Sequence, residues 1–262
     1  WLPNAYTYAP SVVSAFLAAT ATKVAVYVLL RFIFTIFNIK LSFGVMPLDT
    51  IFLVLAVIAM FAGSAVAIFQ PNLKRMLAYS SVAQIGYIIL GISFANVNGI
   101  AAGVMHLFNH ALIKGGMFLA LGCLFYRLAT VDIDDLAGIG RKLPWTMAAF
   151  VIGGLGLIGV PLTVGFVSKW YLVIGAVDRG WWPVAALILI SSLLAVVYIW
   201  RVIEIAYLHS APEDAAPIEE APTSMLIPTW VLIGGSIYFG VHTELTVSVA
   251  QQAAMQLLGV TP

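Results

Sequence analysis

Within the apolar run from about Gly99 to Leu128, His106, His110 and Lys114 recur at i, i+4 and i+8. On a helix these positions form one stripe, about 12 Å long at 1.5 Å per residue. All three side chains can take up and release a proton. Histidine titrates near neutral pH without tuning, and lysine becomes a carrier where desolvation disfavours its charged form. An ionisable group at bilayer depth costs about 2.5–3.5 kcal/mol on insertion scales, so three on one stripe need one another, water or a function. A proton relay uses all three. The blander alternative is that each histidine closes an interior hydrogen bond.

Three further lysines interrupt apolar sequence. Lys23 lies inside the run of about 11–37, flanked by Thr20 and Thr22, with Tyr27 one turn on. At that depth it cannot easily snorkel to either surface, unless it sits nearer the interface. Lys74 belongs to Gln70-Pro71-Asn72-Leu73-Lys74-Arg75, which separates two apolar runs. With Ser81 and either Gln84 or Gly86 it recurs near helical spacing, which predicts a polar stripe able to line water. The competing reading makes Lys74 and Arg75 interfacial anchors. Lys169 follows Pro161-Leu162-Thr163-Val164-Gly165-Phe166-Val167-Ser168, after a run carrying Gly153, Gly154, Gly156 and Gly159. Proline removes a backbone donor, and unwound backbone is tolerated at membrane depth where protein or a water cavity satisfies it. Transporters use such discontinuous helices to build midplane sites. The opposing reading is a plain loop with Lys169 at the surface. Pro10 before Lys23 and Pro161 before Lys169 look like two versions of one device, as an inverted repeat would leave, although the two spacings differ.

These residues need long apolar helices to hold them. Of the 262 residues 62% are hydrophobic and 9% charged, against about 25% charged in soluble domains. An all-α polytopic membrane protein of about 8–9 segments is therefore expected, surrounded by lipid. The net charge of +1 gives no hint of nucleic acid. The single Cys123 excludes an intramolecular disulfide and offers no zinc or iron-sulfur spacing, so neither metal nor cofactor is expected.

The chain opens at Trp1-Leu2-Pro3 with neither an initiator methionine nor a signal peptide. It is expected to be the carboxy-terminal part of a longer polypeptide. Residues 1–10 are rich in turn formers and aromatics, and Pro10 suits the first turn of the helix after it. A short loop with Lys40, Pro47 and Asp49 precedes apolar runs at about 48–69 and 76–94. Gly99 and Gly103 then allow close helix packing, and Gly115 and Gly116 allow it at the lysine end of the stripe. Residues 128–143, with Asp132, Asp134, Asp135, Arg141 and Lys142, form a charged connection, and Pro144 starts the broken helix of about 145–177. A helix at about 182–208 carries Arg201 and Glu204. The acidic stretch 209–224, with Glu213, Asp214, Glu219 and Glu220, reads as a solvated loop. A span at about 225–241 and an amphipathic segment at about 244–259 close the chain.

The segments LKRMLAYSSVAQIGY, HLFNHALIKGGMFL and GVPLTVGFVSKWYL resemble the core of the antiporter-like proton-translocating subunits shared by Mrp-type cation/proton antiporters and respiratory complex I. The tail TSMLIPTWVLIGGSIYFGVHTELTV is most similar to the D-type member of the Mrp group. The resemblance covers nearly the whole chain. It implies two inverted five-helix units, each with one discontinuous helix. Residues 1–75 would end the first unit, 76–208 would form the second, 209–224 a loop and 225–262 the closing helices. It carries the first-unit lysine onto Lys23, the bridging lysine onto Lys74, the relay onto His106, His110 and Lys114, and the second broken-helix lysine onto Lys169, with helix breaks at Pro10, Pro161 and Gly165. The family's glutamate on an earlier helix has no counterpart here. Some complex I relatives have glutamate where this sequence has Lys169.

The expected function is proton translocation along a hydrated chain of Lys23, Lys74, His106, His110, Lys114 and Lys169, in which charging one site raises the cost of charging the next. On the Mrp D-type reading H+ exchanges for Na+, and the partners are the other membrane subunits of that antiporter, in a bacterial inner membrane. The alternative is a proton-pumping subunit of an NADH-quinone oxidoreductase or a related hydrogenase complex. No carboxylate cluster for Na+ is visible in these helices. An intramembrane enzyme finds no support, since neither H-E-x-x-H nor G-x-S-x-G occurs and no intrinsic catalytic site is expected. A haem subunit is disfavoured because His106 and His110 share one helix face and cannot clamp a haem from both sides. A non-transporting scaffold leaves the buried lysines unexplained.

Overall fold

The computed structural model describes residues 1–210 and 218–260. Among the described residues the architecture is helical throughout, without strands. An isolated bridge joins Asn72 to Asp132. The chain runs through α1 (Leu2–Tyr8), α2 (Ser11–Ala19) and α3 (Ala21–Leu30), which continues into a π-helical turn over Arg31–Ile36. A second π-helical turn, Lys40–Val45, leads to α4 (Leu48–Ile68), α5 (Leu73–Ser93) and α6 (Val97–Leu128). A 3₁₀ turn (Ile133–Leu136) and the short α7 (Ile139–Lys142) precede α8 (Pro144–Ile158), α9 (Val164–Asp178), α10 (Trp182–Leu208), α11 (Thr223–Val241) and α12 (Glu244–Leu258).

Six stretches are long and apolar enough to cross a membrane: Ser11–Ile36, α4, α5, α6, α10 and α11. The shorter α8 and α9 add the two halves of a discontinuous helix. Helices α5 and α6 are the most enclosed of these, whereas α4 and α10 turn Val54, Leu55, Ile58, Leu189, Leu193 and Trp200 outward. An apolar exterior suits lipid, and helices with internal hydrogen bonding are what a bilayer accepts. The centre of the bundle is thus α5 packed on α6, with α2, α4, α8, α9, α11 and α12 around them.

Local chemistry sets the helix ends. Asn72 Oδ1 accepts from Arg75 N at 3.2 Å and starts α5, and Asn96 Oδ1 accepts from Gly99 N at 2.7 Å and starts α6. These side chains satisfy donors that a helix start otherwise leaves free. Arg201 on α10 ties down the end of α4, donating to Ile68 O and Gln70 O at 3.0 and 3.1 Å.

Three expectations need correction. Residues 1–10 are not a turn-rich lead, because Leu2–Tyr8 is helical with its proline in the first turn, where the missing N–H costs nothing. Residues 38–47, expected as a short loop, contain the π-helical turn Lys40–Val45. The acidic stretch is not simply solvated. Glu220 Oε1 accepts from Trp145 N and Thr146 N at 2.6 and 3.2 Å, and its Oε2 accepts from Thr146 Oγ1 at 2.7 Å. A carboxylate is thereby set on the positive end of α8. Arg127, at the end of α6, donates to Glu220 O at 2.9 Å, so this one residue holds the ends of two helices together. Glu213 and Asp214 lie outside the described residues.

Candidate functional site

The site is assembled at the α5–α6 contact. His106, His110 and Lys114 are all buried, the last two with no exposed surface at all (0%). The 3.6-residue period of α6 stacks the two imidazoles, with centroids 5.9 Å apart and planes inclined by 16°. His106 Nε2 lies 2.9 Å from Gln84 Oε1 on α5, and its Nδ1 lies 2.8 Å from Ser168 Oγ on α9. One turn along α5 from Gln84, Ser80 accepts from the Lys114 ammonium, which also donates to Leu77 O at 2.7 Å. Neither ring nitrogen of His110 has a hydrogen-bond partner among the described residues.

The broken helix supplies the other end. Helix α8 stops at Ile158, Gly159 (φ +90°) and Leu162 (φ +73°) turn the chain, and α9 restarts at Val164. Carbonyls just before such a break lose their i+4 donors. Lys169, one turn into α9, reaches back and donates to Leu157 O and Ile158 O at 2.8 and 2.9 Å. Its ammonium also lies 4.7 Å from the centroid of Tyr87, within cation–π range. Lys169 is buried, so the surface-loop reading fails. Gly165 is not part of the break itself. It sits in the first turn of α9, where a Cβ would fall 1.8 Å from Gly156 O, so its role is to let the two halves cross.

Lys74 and Lys23 lie elsewhere. Lys74, at the start of α5, donates to Ala9 O at 3.1 Å, where Ala9 and Pro10 interrupt the helix between α1 and α2. The Phe125 ring centroid is 5.4 Å away. Lys23 donates to Ala18 O beside the irregular Thr20 that separates α2 from α3. Each of the four lysines thus meets main-chain carbonyl oxygen, and for three of the lysines, Lys23, Lys74 and Lys169, it lies beside a helix irregularity. Among the described residues none of the four pairs with a carboxylate. The six predicted residues also make no direct hydrogen bond to one another. Intermediate groups connect two of them, His106 and Lys169, through Gln84, whose Nε2 points at Leu157 O at 3.5 Å, the carbonyl that Lys169 also uses.

Several members escape sequence reading. The predicted polar stripe on α5 included Ser81, but Ser81 Oγ bonds its own helix at Leu77 O (3.0 Å), and Ser80 meets Lys114 instead. Ser80 was findable as the residue four before Gln84. Ser168 directly precedes Lys169, yet nothing local indicates that it meets His106. Tyr87 is placed by tertiary packing, bonding Ser191 Oγ of α10 at 2.9 Å.

Residues 1–195 match the family described as NADH:quinone oxidoreductase/Mrp antiporter, transmembrane. The chain belongs to that family. It is 42% identical over 267 residues to the NADH-quinone oxidoreductase subunit N of Desulforudis audaxviator, covering 97% of this chain and 53% of that protein. The D-type subunit of the Na(+)/H(+) antiporter of Alkalihalophilus pseudofirmus is 28% identical over 261 residues, covering 100% of this chain and 52% of that protein. The fold matches a chain in the Mrp complex from Dietzia sp. with a TM-score of 0.89 at 23% identity, over 98% of this chain and 55% of that one. The chain therefore spans about half the length of the relatives it matches. It is an integral membrane protein with an antiporter-like fold.

Proposed function

We propose that the chain is part of a proton-translocating subunit of a complex I-type oxidoreductase, moving H+ along the buried line of Lys23, Lys74, His106, His110, Lys114 and Lys169. The observation that carries this reading is the coordination of Lys169. Its ammonium rests on two carbonyls and an aromatic face, and among the described residues no carboxylate forms an ion pair with it. A purely structural lysine would be expected to carry a counter-ion at this depth. Neutral partners leave the amine free to give up its proton and regain it. Like charges along the line then repel, which couples loading at one site to release at the next.

The finer assignment departs from the D-type reading suggested by the tail. Identity of 42% to an oxidoreductase N-type relative against 28% to an antiporter D-type relative favours the oxidoreductase alternative. Na+/H+ exchange of the Mrp kind remains the second reading, supported by the fold match to an Mrp complex chain. On either reading the partners are other membrane subunits, the setting is a bacterial inner membrane, and residues 1–75 and 76–208 belong to successive inverted units.

Lys169→Arg and Lys169→Ala test the proposal. Arginine keeps the charge but does not release a proton under cellular conditions, whereas alanine removes both properties. Both variants are expected to assemble with their partner subunits and to lose proton-coupled transport in everted vesicles. Substantial transport by Lys169→Arg would sink the claim that Lys169 cycles its proton. Cation dependence of the parent's flux separates the two readings, since Na+-driven proton movement without electron donors belongs to the exchanger.

A further inference from the structure

His106 is the one relay histidine with both ring nitrogens engaged, and its partners differ in what they can do. Gln84 turns its amide nitrogen towards Leu157 O, which can only accept, so the amide oxygen faces His106. In the neutral imidazole the hydrogen therefore sits on Nε2, donated to Gln84 Oε1 at 2.9 Å. Nδ1 is left with its lone pair and accepts from the Ser168 hydroxyl at 2.8 Å. Ser168 has two other acceptors within reach, Val164 O and Gly165 O, each 3.3 Å from its Oγ.

We propose that Ser168 is a positioning residue that reads the charge of His106 and passes it to the first turn of α9. This deepens the relay reading and rests on it. When a relay proton arrives on Nδ1, both ring nitrogens become donors, and Nδ1–H now points at Ser168 Oγ. The hydroxyl hydrogen stays on serine and turns to Val164 O or Gly165 O. When the proton leaves Nδ1, it turns back. At His106 and Ser168 the only covalent bond made or broken is Nδ1–H; the proton is delivered by a hydronium ion of the relay, whose O–H bond breaks as Nδ1–H forms, and returns to water when Nδ1–H breaks.

The two carbonyls make the turn consequential. Val164 and Gly165 open α9 directly after the break, and Val164 O already accepts from Asn109 Nδ2 of α6 at 2.8 Å. A further donor there redistributes the hydrogen bonds of the turn that carries Lys169. Protonation at His106 is thus registered at the lysine that closes the break. The titratable groups set around His106 are His110 on its own helix, Tyr87 on α5, Lys169 on α9 and Lys23 on α3, so the response at His106 includes their charge states.

The test uses the assembled complex in everted vesicles with Ser168→Ala and Ser168→Thr. Proton-coupled flux is recorded across pH, together with infrared spectra of ring-15N histidine assigned by difference from His106→Gln. Ser168→Thr keeps the hydroxyl and should keep the parent's pH profile even if the rate falls. Ser168→Ala should move the profile by about one pH unit, the scale of a single lost interaction, and should shift the Nδ1 signal of His106 while the Nε2–H tautomer, set by Gln84, persists. A parent spectrum dominated by the Nδ1–H form, or a Ser168→Ala profile superimposed on the parent's, overturns the proposal. If Ser168→Ala does not assemble, Ser168→Cys, a weak donor of similar size, is read by the same two criteria. Normal flux in both Lys169→Ala and His110→Leu would instead sink the underlying relay reading, and the tautomer spectrum still reports on Ser168 in that event.

Discussion

The helix interruptions at Ala9–Pro10 and Gly159–Thr163 solve one problem with different donors. At Ala9–Pro10 the exposed carbonyls are met from a neighbour and from the next turn. Lys74 of α5 donates to Ala9 O, and Ser14 Oγ lies 2.8 Å from Tyr6 O and 3.2 Å from Ala9 O. At Gly159–Thr163 the donor belongs to the same broken helix, since Lys169 of α9 folds back onto Leu157 O and Ile158 O. Thr163 Oγ1 adds a bond to Val160 O at 2.7 Å. Both answers meet the bilayer's demand that main-chain polar groups find partners. They differ in what a lysine movement disturbs. Displacing Lys74 loosens the first break from α5, whereas displacing Lys169 loosens the second break from itself. Lys74 serves the Ala9–Pro10 break, while Lys23 resembles Lys169 in reaching back along its own chain, to Ala18 O beside Thr20.

The comparison can be broken most severely at Gly165. An alanine there would drive a Cβ into Gly156 O, so α8 and α9 would have to part, and overpacking costs about 1–3 kcal/mol or more. Gly165→Ala should lose both assembly and flux, measured by subunit recovery after solubilisation. Normal recovery would show that the two halves do not need their close crossing. A smaller structural effect and a large functional one are expected for His110→Leu. The bulk is kept and no hydrogen bond among the described residues is lost. Flux should fall at least about tenfold, or about 1.4 kcal/mol of barrier, in complexes recovered at the parent's level. Undiminished flux would favour a packing role for His110.

A proline and a capping glutamate sharpen the contrast further. Pro161→Ala restores a backbone donor inside the second break and should cut flux by more than it lowers the thermal midpoint. Full activity in Pro161→Ala would make that proline incidental to the break. The mildest change expected is Glu220→Ala, which removes the cap on α8 at a cost of about 0.5–2 kcal/mol. Its thermal midpoint should drop while flux per assembled complex holds. A loss of flux without a loss of stability would tie the α8 cap to transport instead.

Much of this was legible in the sequence because its causes are local. Apolarity over a bilayer's thickness, proline and glycine punctuation, and the i, i+4, i+8 spacing of His106, His110 and Lys114 act within a few turns of chain. They determined by themselves that the protein is a helical membrane protein, that one helix is interrupted near Pro161, and that the three titratable groups share a face. They did not determine which groups that face would meet. Neighbouring residues on a helix point about 100° apart, so whether Ser80 or Ser81 faces Lys114 depends on how α5 is rotated against α6. The tertiary structure decided that rotation, together with the meeting of Ser168 with His106, of Lys74 with Ala9, and of Glu220 with the start of α8. Each of these partners is at least 62 residues away in the chain. Such contacts arise only when whole helix faces pack, and no local preference encodes them.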